Sequence, residues 1–283
     1  MLTSAAIDAV VRPALAEDAP WGDVTSSYFI PADASATAHL VAREPGVLSG
    51  GEVFAAAFAA LEPGTSVELV IADGAPFAAG DTLATVVGNA RAILGAERVA
   101  LNLVQRMSGI ATVTARYVEL VAGTGARIVD TRKTIPGLRA LDRHAVRSGG
   151  GHNHRFSLSD AVLAKDNHLA VLTAGGRDLT GALLEVRAAL PHTTHLEVEV
   201  DRLDQIESVI AGGVDTIMLD NFSLDELRAG VALVAGRALV EASGNVNLDT
   251  VAAIAATGVD VISVGALTHS VRALDLGLDF AVA

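Results

Sequence analysis

The sequence predicts an α/β protein: an incomplete α/β barrel of about six parallel strands, preceded by an N-terminal α+β domain. Three observations predict it. After Ala126, six apolar runs appear, each ending in polar residues and followed by a stretch with helical periodicity, the rhythm of βα units around a parallel sheet. The side chains able to do chemistry gather at the ends of those runs, the face where α/β barrels keep their active sites. Residues 34–88 lack this rhythm and show short β-like runs punctuated by glycine and proline.

Residues 4–18 place Ile7, Val10, Val11, Ala14 and Leu15 at helical spacing, with Ser4 as the candidate N-cap. E-D-A-P-W-G-D-V-T-S (17–26) reads as a structured turn that ends this helix. T-A-H-L-V-A-R (37–43), S-V-E-L-V-I-A (66–72) and T-L-A-T-V-V (82–87) read as strands, with an alanine-rich helix at 52–61 between the first two. A long helix begins near Asn89 and buries a stripe of Ile93, Leu94, Ala96, Val99, Ala100, Leu103 and Val104. Arg91, Arg98 and Gln105 recur at sevens and share its other, solvated face. The pattern pauses at Ser108-Gly109, where the domain boundary is expected, and resumes to about Ala122.

The six strands are expected at A-R-I-V-D-T (126–131), A-V-L-A-K-D-N (161–167), H-L-E-V-E-V-D (195–201), V-D-T-I-M-L-D-N (214–221), A-L-V-E-A-S-G (238–244) and V-D-V-I-S-V-G-A (259–266). An open doubly wound sheet would also collect its ligand at the strand ends, but no G-x-G-x-x-G follows the first strand, which favours the barrel.

The 283 residues carry a formal charge of −13, and half of them are apolar. So acidic a chain lacks the broad basic face that nucleic acid requires. No run has the length and apolarity of a membrane span. With no cysteine there are no disulfides, thiolate ligands or cysteine nucleophile, and the start M-L-T-S-A-A-I-D lacks the basic and apolar regions of a signal peptide. A soluble cytoplasmic protein is expected.

Against this background residues 127–169 form a basic island. They hold eight of the 20 Lys and Arg residues and four of the 8 histidines. Lys133 and Lys165 are the chain's two lysines, and both lie there, at places where a compact ammonium serves and a guanidinium fork does not. Arg132, Lys133, His154, Arg155 and Lys165, beside the S-G-G-G backbone (148–151), suit a ligand with several negative charges. Glu199 and Asp220, with Glu197 or Glu241 as further candidates, suit ribose hydroxyls, a bound Mg²⁺ or a cationic transition state. S-G-N (243–245) and V-G-A-L-T-H-S (264–270) read as small residues opening helices, a site for phosphate. The expected ligands are a phosphorylated compound and a carboxylate-bearing one.

These motifs resemble those of the quinolinate phosphoribosyltransferases. The resemblance rests on E-D-A-P-W-G-D-V-T-S, A-E-R-V-A-L-N-L-V-Q-R-M-S-G-I-A-T (96–112), D-T-R-K-T-I-P-G-L-R (130–139) and G-G-G-H-N-H-R (149–155). It extends through K-D-N-H (165–168), E-V-E-V-D (197–201), L-D-N (219–221), S-G-N and V-G-A-L-T-H-S, and covers nearly the whole chain in the family's order. It implies transfer of a phosphoribosyl group from PRPP to the ring nitrogen of quinolinate, with Mg²⁺ and loss of CO₂, giving nicotinate mononucleotide for NAD biosynthesis. By similarity Arg132, His154, Arg155 and Lys165 hold quinolinate's carboxylates, and Lys133 lies close to both substrates. Thr131, Glu199 and Asp220 belong to the PRPP site, the two acids also as candidate metal contacts. Ser243, Gly244, Asn245, Gly265 and Ala266 cradle the 5′-phosphate. Lys133, Lys165, Glu199 and Asp220 are the catalytic candidates. The resemblance further implies a homodimer in which Arg98 enters the partner's site, leaves a higher oligomer open, and predicts a last helix (about 267–283) joining residues 1–108, with 109–266 as the barrel domain. Arg143-His144 departs from the lysine and aromatic common in relatives. Three other readings stay open: the related branch associated with molybdenum transport, a Schiff-base aldolase using Lys165, and a non-catalytic anion-binding protein.

Overall fold

A computed structural model describes residues 2–281. The chain divides into two compact units that interleave in sequence: one of residues 1–115, 134–150 and 267–283, the other of residues 116–133 and 151–266.

The first unit opens with α1 (Ser4–Asp18), where Thr3, one residue before the expected cap, accepts the Ala6 N–H. Its other elements before the barrel are α2 (Val24–Phe29), β1 (Ser35–Ala42), β2 (Gly46–Val47), α3 (Gly51–Leu61), β3 (Ser66–Leu69), β4 (Pro76–Phe77), β5 (Thr82–Asn89) and α4 (Ala90–Leu120). Val11, Leu40, Val53, Phe54, Phe58, Leu83, Val86 and Ile93 are buried and make its core. Each contributes roughly 1.5–3 kcal/mol of apolar burial. Asp73 accepts the N–H groups of Gly50 and Gly51 at the start of α3 and meets His144 Nε2 at 2.7 Å.

Two expectations fail here for identifiable reasons. The first is that α4 does not break at Ser108-Gly109. Ser108 is fully buried and its hydroxyl bonds the backbone of Ser49 in both directions. A Cβ at Gly109 would collide with the carbonyl of Arg272. The pair is small because other chain segments pack against it. The second is the expected last helix. Only Ala266–His269 (α11) is helical, and Leu276–Ala281 form a strand, β12, in the order β12-β1-β5-β3. Leu276, Leu278 and Phe280 alternate with Gly277 and Asp279, which is the strand period, and they pair with Ala42, Leu40 and Ala38 of β1. On the face read as solvated, Arg91 donates to the Ile30 carbonyl and Gln105 to that of Leu276, whereas Arg98 is exposed.

The second unit contains all six expected strands: β6 (Arg127–Val129), β7 (Val162–Ala164), β8 (Leu196–Val200), β9 (Thr216–Asp220), β10 (Leu239–Ser243) and β11 (Val261–Ser263). Their order is β6-β11-β10-β9-β8-β7, and every neighbouring pair is parallel. The intervening helices are α6 (Asp166–Leu172), α7 (Leu179–Ala189), α8 (Ile206–Ala211), α9 (Leu224–Val234) and α10 (Val251–Ala255), while α5 (Arg139–Ser148) belongs to the first unit. Val198, Ile217, Leu219, Val240 and Ile262 are buried on one face of the sheet. The alternate positions, Glu197, Glu199, Met218, Asp220, Glu241 and Ser243, share the other. A V-D pair before β9 and β11 fixes strand start points: Asp215 accepts the Leu196 N–H and Asp260 the Val240 N–H, each at 2.8 Å.

Asp142 on α5 is wholly buried and takes two bonds from Arg106, at 3.0 and 2.8 Å. Burial raises its pKa, and Arg106 opposes the rise. Asp142→Ala would leave the guanidinium without its counter-ion, at a cost of about 3–5 kcal/mol. Urea unfolding of the variant and the parent checks this.

Candidate active site

The parallel strands end at a cavity of about 590 Å³ in the second unit. Thr131, Arg132, Lys133, His154, Arg155, Lys165, Asp220, Ser243, Gly244 and Asn245 line it, so ten of the residues expected from the sequence converge. Leu163, Met218, Asn221, Glu241 and Ser263 complete the wall. Glu199 lines a neighbouring cavity of about 720 Å³, together with Asp166, Asp201 and Arg202, and Asp220 and Asn221 border both. Gly265 and Ala266 follow β11 but are not among the wall residues, and Arg98 lies in the other unit.

Buried carboxylates place the basic residues. Asp130, at the end of β6, is wholly buried and accepts the His154 N–H at 2.8 Å and the Asn153 amide at 2.6 Å. The D-T-R-K-T and G-G-G-H-N-H-R segments are thereby tied together. Arg155 donates to the Ala161 carbonyl at 2.8 Å. Burial lowers its pKa, and the adjacent Arg132 lowers it further. The Nε of Arg132 is buried without a hydrogen-bond partner among the described residues, a donor that a bound anion can use. Two half-buried guanidinium groups near one another favour a ligand with at least two negative charges.

Under the cations lies a trio of His154, Glu197 and Glu241. The imidazole Nε2 is 3.1 Å from a Glu197 oxygen and 3.5 Å from a Glu241 oxygen, and both carboxylates are 3 % exposed. Burial raises the pKa of Glu197, with the Glu241 charge adding to the effect and His154 opposing it. Burial disfavours a charged His154, but the two carboxylates outweigh it and raise the ring's affinity for a proton. The titration belongs to the three groups jointly.

At the mouth, Lys165 Nζ bonds the Glu199 carboxylate. The phosphate-site expectation is corrected in form. S-G-N does not open a helix; α10 starts only at Val251. Instead Gly244 and Asn245 have φ of 91° and 52°, and Asn221, on the neighbouring strand end, has φ of 59°. A turn with positive φ at successive residues, as at Gly244 and Asn245, is a backbone geometry whose N–H groups can line an anion, whereas the Asn221 N–H is engaged within the protein. Asn245 donates to the Asn221 carboxamide at 3.1 Å, and Asn221 N–H to the Ser243 carbonyl at 2.9 Å.

Metal ligation has two candidate places. Glu199 and Asp220 offer hard oxygen donors of the kind Mg²⁺ prefers, but among the described residues only His154, Glu197 and Glu241 form a convergent group of three. Glu199 and Asp220 together supply two carboxylates, fewer than the six oxygen ligands that Mg²⁺ takes.

The sequence analysis gave Asp130 no role and left Glu197 and Glu241 undecided. The available signal was an acid inside an otherwise apolar run, as in A-L-V-E-A-S, at the same alternation as the site residues. Gly244→Ala meets both a positive φ and the Asn221 carboxamide. It is expected to lower stability by about 1–3 kcal/mol, as read by thermal unfolding, and to weaken binding of ribose 5-phosphate by calorimetry.

The chain is similar to known proteins over nearly its whole length. Residues 23–108 match the family model "Quinolinate phosphoribosyl transferase, N-terminal domain" and residues 110–279 the corresponding C-terminal domain. The chain is 46 % identical to the nicotinate-nucleotide pyrophosphorylase (carboxylating) of Mycobacterium leprae, over 99 % of this chain and 100 % of that one. It is 40 % identical to the probable enzyme of the same name from Bacillus subtilis, over 93 % and 89 %. Among solved structures, the nicotinate-nucleotide pyrophosphorylase of Francisella tularensis superposes with a TM-score of 0.92 at 37 % identity, covering 99 % of this chain and 98 % of that one. The chain belongs to the quinolinate phosphoribosyltransferase family.

Proposed function

We propose that the protein transfers the phosphoribosyl group of PRPP to the ring nitrogen of quinolinate, with decarboxylation, giving nicotinate mononucleotide, pyrophosphate and CO₂. The observation that carries this reading is the convergence of Arg132, Lys133, Arg155 and Lys165 with Asp220 and the Ser243–Asn245 turn around one cavity. A pyridine dicarboxylate needs paired cations, and charge-assisted bonds to them are worth about 1.5–3 kcal/mol each. The turn cradles the 5′-phosphate. Thr131 and Lys133 lie where the sugar phosphate meets the acid.

No residue need act as a nucleophile. The ring nitrogen attacks C1′ as the bond to pyrophosphate breaks, and Asp220 and Glu199 face the positive charge that develops on the ribose. The C2–carboxylate bond then breaks, and its electron pair stays on C2 beside the new pyridinium nitrogen until a proton arrives. Arg132 and Arg155 hold the ring throughout. Mg²⁺, held by Glu199 and Asp220 directly or through water, would neutralise the departing pyrophosphate. Lys165 must leave Glu199 to meet a substrate carboxylate, so quinolinate and the acidic residue compete for the same ammonium.

The proposal includes a cytoplasmic homodimer in which Arg98 completes the partner's site. The exposed aromatic side chains of Trp21 (94 %), Tyr28 (85 %) and Phe29 (81 %), close together in sequence, support a covering subunit. Among the described residues no helix is long and apolar enough to cross a membrane. A Schiff-base aldolase is disfavoured, because Lys165 is half exposed and ion-paired and lacks the apolar pocket that activates such a lysine.

Incubation with quinolinate, PRPP and Mg²⁺ is expected to give equal yields of nicotinate mononucleotide and CO₂ by mass spectrometry. No product with quinolinate, but turnover of another aromatic acid, would move the protein to a different branch. Arg132→Ala and Lys165→Ala are each expected to fold and to lose about 100-fold or more in quinolinate affinity, the sum of two lost charge-assisted bonds, as measured by calorimetry. Mixing Arg98→Ala with Lys165→Ala is expected to restore activity through hybrid dimers with one intact site. Continued inactivity despite demonstrated subunit exchange would rule out the shared site.

A further inference from the structure

The side chain of Asn221 joins two parts of the pocket that the sequence keeps apart. Asp220 closes β9 and Ser243 closes β10, and the two are paired in the parallel register. The Asn221 N–H donates to the Ser243 carbonyl at 2.9 Å, so the ladder sets Asn221 beside the Gly244-Asn245 turn. There its side-chain nitrogen lies 2.6 Å from Asp220 Oδ2, and its oxygen 3.1 Å from the Asn245 amide nitrogen. A carboxylate only accepts, so the atom facing Asp220 must be the NH₂ group. The Asn221 oxygen is then the atom facing Asn245, which must donate to it. Gly244 is matched to this arrangement, because a Cβ there would collide with the Asn221 carboxamide oxygen and Cγ. Asn221 itself has a φ of 59°, which asparagine adopts more readily than most residues. A sparsely populated torsion is thus held at the point from which one amide reaches both neighbours.

We propose that Asn221 is a positioning residue for the phosphoribosyl donor: its amide ties the Asp220 carboxylate to the turn that takes the 5′-phosphate, so that seating the phosphate also orients the carboxylate toward the ribose. This rests on the phosphoribosyl-transfer reading for the identity of the donor, whereas the tie itself is a property of the free protein. Asp220 borders both cavities, and so does Asn221. Without a fixed donor the carboxylate could turn toward either cavity; the bond from Asn221 holds one of its oxygens before substrate arrives. Such preorganisation of a charge is where an enzyme gains most, because no reorientation is left for the moment of reaction. A direct bond from Asn221 to the phosphate is the competing use.

The test uses two substitutions that keep the torsion. Asn221→Gly accommodates a positive φ and removes the amide. Asn221→Asp keeps the size and an acceptor for Asn245, but sets a second carboxylate against Asp220 in place of the donor. Both are expected to fold, as read by thermal unfolding, and to lower kcat/KM for PRPP by about 10-fold or more, the lower end for a lost charge-assisted bond at an exposed side chain. Quinolinate affinity by calorimetry is expected to stay within about 2-fold of the parent's. A double-mutant cycle on ribose 5-phosphate affinity separates positioning from direct contact. Asn221→Gly is expected to weaken binding about 10-fold in the parent and less than about 2-fold in an Asp220→Ala background. An equal loss in both backgrounds would make Asn221 a direct phosphate ligand and overturn the tie. Parental kcat/KM for PRPP in either folded variant would overturn it too, as would a loss of quinolinate affinity as large as the loss for PRPP, or a parent that does not bind ribose 5-phosphate. If Asn221→Gly does not fold, Asn221→Asp takes its place in the kinetics and the cycle. A parent that binds ribose 5-phosphate but does not convert quinolinate and PRPP would overturn the substrate reading, while the cycle would still decide the tie.

Discussion

Buried negative charge is the constraint on which the site depends. Asp130, Glu197 and Glu241 sit inside the barrel unit with almost no exposure, where an isolated carboxylate would cost several kcal/mol. Each is tolerable only because something donates to it, and the donors are the residues flanking the pocket: the His154 N–H, the Asn153 amide and the His154 ring. The acids inside the sheet thus hold in place the loop that carries a cation of the mouth. A pocket built only of arginine and lysine would repel its own side chains outward. One underlain by buried acids keeps part of its charge balanced when no substrate is present.

The parallel sheet makes this arrangement possible. In its register Glu199, Met218 and Glu241 stand side by side on three strands, with Asp220 and Ser243 paired two residues further toward the mouth. One face of every strand is given to aliphatic packing and the other to chemistry. A change of one residue in register would exchange them. The V-D pairs that anchor neighbouring strand starts guard against that shift, which ties a structural repeat at one end of the sheet to functional alignment at the other.

Much of this was legible in the sequence. The six strands, their polar ends and the ten wall residues could be read because βα rhythm and clustered cations are local patterns. What was missed depends on distant packing. Ser108-Gly109 has the composition of a break, yet it lies within a continuous helix because Ser49 and Arg272 need the space. The alternation of Leu276, Leu278 and Phe280 is a strand signal, but the partner that makes it a strand lies at the other end of the chain. The left-handed turn at Gly244 and Asn245 has a motif, S-G-N, whose anion-binding role was expected through a helix start, and backbone torsions cannot be seen in three letters. Glu241 was visible as an acid in an apolar run, but its meeting with His154 brings together residues from separate strands and loops.

The pairing of β12 with β1 has a consequence for how the protein is made. Arg43, just after β1, and Asp279 of β12 are bonded and lie 236 positions apart in sequence. During synthesis β1 therefore emerges early and keeps an unpaired edge until nearly the whole chain has left the ribosome. Such an edge is a template for unwanted strand addition, and long-range pairing of this kind forms slowly. The interleaving of the two units adds to the delay, because residues 116–133 of the second unit precede α5 and residues 151–266 precede β12. Assembly of the amino-terminal half is thus a late event, and truncation near the carboxyl end would damage the part of the protein that was translated first.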